Sequence, residues 1–332
     1  MSVRVKILLM SMQAGRYLRC LRKNHHKKVG QRAPGVLEAR TRYSGMRMMN
    51  YGGIEAEYAA YEQAKFVVIP VPYDLTSTYQ SGSRRGPGAI LDASANMELY
   101  DEELHQETFR SGIHTLPPLE ADARGPAEMI SAVRRTVAGV IADGKIPVML
   151  GGEHSISFGA VQAVRKAFPE LTVLQLDAHA DLREAYQGTP FSHAAVARRI
   201  AEICPLVQAG IRSMSVEEAE FLAASPVKSY PADFVLDGGL WCGAICGDLQ
   251  GDIYLTVDLD VLDPAIMPAT GTPEPGGVSW RDLIRLIREV AKRCRIRGFD
   301  VVELAPIPGM VAPDFLAAKL IYRIMGYLTG GS

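Results

Sequence analysis

Residues 174–183 read LQLDAHADLR: an apolar run that ends on three polar side chains at alternate positions, Asp177, His179 and Asp181. Carboxylates and imidazoles in such a pattern hold metal ions or move protons near neutral pH. Three other segments carry the same kinds of group. GGEHS at 151–155 supplies His154, DLDVLD at 258–263 supplies Asp258 and Asp260, and DVVEL at 300–304 supplies Glu303. Each alone has an ordinary reading, His154 as a loop residue and the Asp258/Asp260 pair as a helix cap. Together they do not. Five carboxylates sharing one rim require raised pKa values or a cation. Two His and four Asp, with no Cys among them, suit a borderline-hard ion such as Mn²⁺ better than a Cys-rich structural zinc site. Six ligands also exceed one tetrahedral site. They suit a two-metal centre in which shared carboxylates hold ions about 3.5–4 Å apart and lower the pKa of a water between them. The chemistry this points to is hydrolysis.

These groups need elements that bring them together. From about residue 65, short β-branched runs alternate with longer amphipathic stretches, the signature of βαβ units on a parallel sheet. Strands are expected at 65–74, 145–150, 171–176, 206–211, 252–260 and 296–304, and helices at 126–142, 157–168, 192–203 and 280–293. Pro87 suits the first turn of another helix, and Ser279, three residues before Asp282, marks a helix start. Four of the six strands run into the polar groups above. In an open parallel sheet, ligands bind beyond the carboxyl ends of the strands, so the four clusters are expected on one rim.

The chain has 332 residues, 48% of them apolar, enough for a large core. No stretch approaches the roughly 18 apolar residues of a membrane span. Five cysteines, an odd number spread along the chain, fit a reducing, cytoplasmic setting. CGAIC at 242–246 lacks C-x-x-C spacing and is not read as a metal or redox pair. GVIADGKI at 139–146 lacks the Ser or Thr of a phosphate loop, no G-x-S-x-G elbow occurs, and no nucleotide cofactor is expected. Residues 1–48 hold twelve of the chain's 36 Lys and Arg but one of its 37 acids, Glu38, so the remainder is acidic. Such an arm could bind nucleic acid or act as an organelle leader. The favoured reading is a basic extension, disordered or preceding a true start near Met48 or Met49, with a single domain over 49–332.

GGEHS, DAHAD, VDLDVLDPAIMPATGTPEPGG and DVVELAP resemble the successive signature motifs of the ureohydrolase family, which includes arginases and agmatinases, over about residues 65–330. The resemblance implies a three-layer α/β/α sandwich on a central, mainly parallel eight-stranded sheet, two Mn²⁺ per subunit, and assembly as homotrimers or homohexamers. His154, Asp177, Asp181 and Asp258 would hold one ion, and Asp177, His179, Asp258 and Asp260 the other. Glu303 would grip the substrate guanidinium, and His193, in FSHAAVARR, would carry a proton to the leaving amine, a task its near-neutral pKa suits. Urea and an amine would be released.

The wording around GTPEPGG and PVPYDLTSTYQSGSRRGPGAI is most similar to agmatinases, which implies agmatine as substrate and putrescine as product. Many members have His-Gly where this chain has His193-Ala194, and the loop LREAYQGTPFS has no Asn of the arginase kind. Glu184 or Tyr186 would then receive the distal ammonium. Arg183 is expected to face solvent or a neighbouring subunit; inside the pocket it would favour a carboxylate-bearing substrate such as guanidinobutyrate. The competing readings are the same chemistry on guanidinobutyrate, arginine or formiminoglutamate, a one-zinc deacetylase, and a nucleic-acid-binding protein using its basic arm. Retention of all six ligands and Glu303 disfavours the last two.

Overall fold

The computed structural model describes residues 50–236 and 241–330; the basic extension at 1–48 lies outside them. Eight strands form one parallel sheet: β1 (Phe66–Pro70), β4 (Ile113–Thr115), β5 (Ile146–Leu150), β6 (Thr172–Leu176), β7 (Leu206–Ile211), β8 (Lys228–Pro231), β9 (Asp252–Asp258) and β10 (Arg295–Val302). A small antiparallel pair, β2 (Tyr100–Asp101) and β3 (Gln106–Glu107), lies apart from it. The spatial order of the main sheet is β4-β1-β5-β10-β9-β6-β7-β8. After β5 the chain skips two places, builds β6, β7 and β8, and only then returns to fill the gap with β9 and β10. The resulting change of direction opens a crevice at the strand ends in the middle of the sheet.

Helices cover both faces, which is why β1, β6 and β7 are buried along their whole length and read as continuous rather than alternating apolar runs. On one face α2 (Pro126–Ala142), α3 (Ser157–Ala167) and α4 (Val196–Ala201) pack in series, and on the other α9 (Ala312–Tyr327) packs on α1 (Gly86–Ser94) and α8 (Trp280–Arg293). The sandwich therefore has the three layers expected. Helices α5 (Val216–Ala224), α6 (Ala232–Leu236) and α7 (Trp241–Gly247) complete the described chain. The Ser279 side chain accepts from the Asp282 N–H at 3.2 Å, so α8 starts where the sequence marks it. Cys204, Cys242, Cys246 and Cys294 are free thiols. Among the described residues no helix is long and apolar enough to cross a membrane.

Register sets the level of the rim. Val301 of β10 lies opposite Leu150 of β5 and Val257 of β9, and Val257 lies opposite Leu176 of β6. These four residues form one row across the four central strands, so each strand delivers its first site group, His154, Asp177, Asp258 or Glu303, one to four residues beyond the same line. Glycine makes the β5 exit possible: a Cβ on Gly152 would stand 1.9 Å from the Tyr73 carbonyl oxygen. Only a hydrogen side chain lets the chain pass there and place Glu153 and His154 behind it.

One expected strand and one expected helix shift. The run at 252–260 ends as strand at Asp258, because the Asp258 side chain accepts the Asp260 N–H at 3.0 Å and caps a one-turn helix at Leu259–Val261. The helix expected at 192–203 begins as a single 3-10 turn at His193–Ala195, with α4 following.

Candidate metal centre and active-site cavity

Asp177 sits at the junction of two donor groups. His154, Asp177 and Asp181 form one set close enough to hold an ion, and Asp177, His179 and Asp260 form another. The buried His154 Nδ1 has Asp177 Oδ2 at 3.1 Å, Asp258 Oδ2 at 3.3 Å and Asp181 Oδ2 at 3.4 Å, yet makes no aligned hydrogen bond with any of them. One nitrogen cannot donate along three directions, and the convergence of three carboxylate oxygens on it is an arrangement that could hold a cation. On the other side His179 Nδ1 lies 2.9 Å from Asp260 Oδ2 and 3.8 Å from Asp177 Oδ1.

The charges report the same crowding. Burial, with Asp260 nearby, raises the Asp177 pKa; burial, with Asp260 and Asp177 nearby, raises that of Asp258 well above the usual carboxylate range. Burial and Asp177 push Asp181 up to about 7. Burial would lower His179, but Asp260 and Asp177 raise it to about 11. A bound cation would relieve this crowding, and the donor set of imidazole and carboxylate without thiolate fits Mn²⁺.

The residues enclose a cavity of about 250 Å³ whose wall includes His154, His179, Asp181, Asp258, Asp260, Glu303, His193, Tyr186 and Arg183. Asp181 and Glu303 both have left-handed backbone, with φ of 52° and 65°, a strained conformation of the kind that collects at functional sites. Glu303 Oε1 accepts the His154 N–H at 2.7 Å, tying the β10 exit to the β5 exit. Burial and the neighbouring Glu153 push the Glu303 carboxyl up to about 8, which makes it a receptive partner for a cation.

A model of the arginase family matches residues 64–326. The chain belongs to the arginase family. It is 38% identical over 276 residues to a protein of Synechocystis sp. named N(1)-aminopropylagmatine ureohydrolase, covering 81% of this chain and 90% of that one. It is 39% identical over 269 residues to one of the same name from Thermus thermophilus, with coverage of 81% and 92%. The solved agmatine ureohydrolase of Thermoplasma volcanium superposes with a TM-score of 0.76 at 34% identity, over 88% of this chain and 97% of that one. As an arginase-family ureohydrolase, the protein is a hydrolase acting on guanidino C–N bonds.

In this arginase-family site a buried polar layer, not singled out in the sequence, backs the donor groups. His154 Nε2 lies 2.9 Å from Thr256 Oγ1, the Thr256 hydroxyl donates to Asp300 Oδ1, and the Tyr254 hydroxyl donates to Asp300 Oδ2 at 2.7 Å. Gln175 donates to Asp177 Oδ2 at 2.7 Å, and Gln208 donates to Gln175 at 2.9 Å. Such partners fix the orientation of metal-binding side chains. Their signal was present as polar residues inside apolar strand runs, Gln175 in LTVLQL and Thr256 in DIYLTV, but a single buried polar residue does not say what it faces.

The outer wall differs from expectation. Glu184 is exposed and does not line the cavity, because the chain turns outward between Arg183 and Tyr186. Arg183, expected to face solvent or a neighbouring subunit, is partly exposed and also lines the cavity, with its guanidinium 5.0 Å from the Tyr186 ring centre and 3.8 Å from Glu218 Oε2. Tyr186 lines it and meets His193 edge-on at 5.9 Å. His193 is not near-neutral: burial, with His154 and His179 nearby, pushes its pKa down to about 4, which favours the uncharged ring.

Loading the centre at pH 7 is expected to release about one proton or more per chain. The sign follows from the raised values. With pKa about 11, His179 holds a proton at pH 7 that a metal ion must displace, and Asp181, at about 7, holds part of another. Affinity therefore rises with pH. Calorimetry of Mn²⁺ binding in buffers of different ionisation enthalpy reads the number directly, and a value of zero would contradict ligation by these residues.

Proposed function

We propose that the protein cleaves the guanidino group of a linear guanidino amine to urea and an amine, with agmatine as substrate, putrescine as product, and two Mn²⁺ ions as cofactor. The observation that carries this reading is the buried Asp177, shared by two donor groups whose other members, His154, Asp181, His179 and Asp260, line a cavity together with Glu303. His154, Asp177, Asp181 and Asp258 would hold one ion, and Asp177, His179, Asp258 and Asp260 the other. Bound there, the pair supplies a water acidic enough to be a nucleophile at neutral pH.

The chain's own groups do the rest. Both Glu303 oxygens have lone pairs free to accept from a guanidinium, Oε1 beside its bond to His154 N–H, which orients the planar cation over the donor groups. Uncharged His193 takes a proton as the nucleophile adds to the guanidinium carbon and returns it to the leaving nitrogen, which departs with the C–N bonding pair as a neutral amine. Tyr186 is the cavity-lining candidate for the distal ammonium. Glu218 also lines the cavity, but its oxygens already accept the Leu182 N–H at 2.9 Å and the Ser215 N–H at 2.7 Å.

A second reading has its own support. Two relatives at 38% and 39% identity carry the name N(1)-aminopropylagmatine ureohydrolase, whose substrate would extend agmatine by three carbons and an amine. Urea release should be measured from agmatine, N1-aminopropylagmatine, arginine and guanidinobutyrate, and formamide release from formiminoglutamate. Agmatine is expected to exceed arginine by about 10²-fold or more in kcat/KM, roughly 3 kcal/mol of discrimination. Absence of agmatine turnover overturns the assignment; faster turnover of the aminopropyl compound transfers it to that substrate.

A further inference from the structure

Glu153 and Thr76, which the reaction as described does not use, form a connected line with His193, and we infer that Glu153 acts through Thr76 as a positioning group that fixes the tautomer of His193. The inference rests on the reading of His193 as the proton carrier. Glu153 is fully buried and Thr76 nearly so. Three donors converge on the Glu153 carboxylate: the Thr76 N–H on Oε2 at 2.5 Å, the Thr76 hydroxyl on Oε1 at 2.8 Å, and the Ser155 hydroxyl, also on Oε1. In the ionised carboxylate both oxygens are acceptors.

The single hydroxyl hydrogen of Thr76 is committed to Glu153, which leaves Thr76 Oγ1 only lone pairs for its other contacts. Those contacts are the His193 N–H at 3.1 Å and the His193 Nδ1 at 3.2 Å. The Nδ1 must then carry the hydrogen. Because the neutral imidazole has one N–H, its Nε2 is left as the bare lone pair. The Thr76 hydroxyl thus conveys the acceptor character of a buried carboxylate to an imidazole in the cavity wall. Without the hydroxyl, the neutral ring is free to populate the other tautomer, whose Nε2 cannot accept a proton.

The test uses the full chain loaded with Mn²⁺. Thr76→Val keeps the shape and removes the hydroxyl; its kcat is expected to fall about 10- to 100-fold while KM and bound Mn²⁺ stay within about threefold, and Thr76→Ser is expected to recover wild-type kcat within about threefold. A second readout does not depend on turnover. In the chain loaded with diamagnetic Zn²⁺ and labelled with ¹⁵N-histidine, the His193 resonances, assigned by their loss in His193→Ala, are expected to show the Nδ1–H tautomer in the wild type and a mixture in Thr76→Val. An unchanged tautomer in Thr76→Val, or a Ser variant as slow as Val, would overturn the inference. If no guanidino compound is hydrolysed, the functional reading fails, while the tautomer measurement still decides the positioning role.

Discussion

Asp177→Asn is expected to bind fewer than two Mn²⁺ per chain and to release urea at least about 10³-fold more slowly than the wild type, more than the 10- to 100-fold typical of outer-shell changes. The substitution changes almost no volume, so the loss is electrostatic and directional. Asp177 Oδ1 accepts the His179 N–H at 2.6 Å and Oδ2 accepts the Gln175 amide at 2.7 Å. An asparagine has one oxygen for two donors, and its NH₂ must face one of them. It also removes the negative charge that stands between His154 and His179. The metal-free fold should not suffer in proportion. Burial and Asp260 raise the Asp177 pKa, so its charge is unfavourable there without a cation, and removing that charge relieves repulsion. The discriminating measurement is thermal unfolding with and without Mn²⁺: the wild type should gain stability from ligand binding and the variant should gain little. Full metal content with normal turnover would remove Asp177 from the centre.

How far the sequence carries depends on what each signal encodes. The six longer strands show because a parallel strand buried on both faces is largely apolar, and the row Leu150, Val301, Val257, Leu176 lies within four of them. The edge strands do not show in this way. β4 has three residues, and β8 carries Lys228 and ends on Pro231, as edges that resist further pairing do. The polar groups of the site are legible because they interrupt apolar runs at the strand ends. Which of them meet is set by register and by turns, and nothing in the local spelling states either. Glu184 and Arg183 show the limit. They are adjacent and both polar, and the difference between a cavity wall and bulk solvent is the path of the chain between Asp181 and Tyr186. The lowered pKa of His193 is likewise a property of its surroundings, the burial and the nearby His154 and His179, and not of its residue type.

Glu303→Gln is expected to lower kcat/KM for the guanidino substrate by about 10²- to 10³-fold, equivalent to losing one or two charge-assisted hydrogen bonds of about 1.5–3 kcal/mol. The direction of the amide decides the size. The His154 N–H needs an acceptor, so the glutamine oxygen will stay on it, where Glu303 Oε1 now lies at 2.7 Å. The NH₂ is then turned towards the cavity and meets the N–H groups of the guanidinium donor against donor. Charge adds to geometry: in the empty site burial and Glu153 raise the carboxyl to about 8, and an arriving cation relieves that cost by stabilising the ionised form. A glutamine has no such gain to offer. The backbone at Glu303 is left-handed, φ 65°, and glutamine adopts it no worse than glutamate, so the fold should be unaffected. Because the donor groups at Asp177 are untouched, Mn²⁺ content should remain that of the wild type. Steady-state kinetics beside metal analysis separate the cases: a loss confined to kcat/KM supports a grip on the substrate, and a parallel loss of metal would show that Glu303 instead supports the His154 side of the centre.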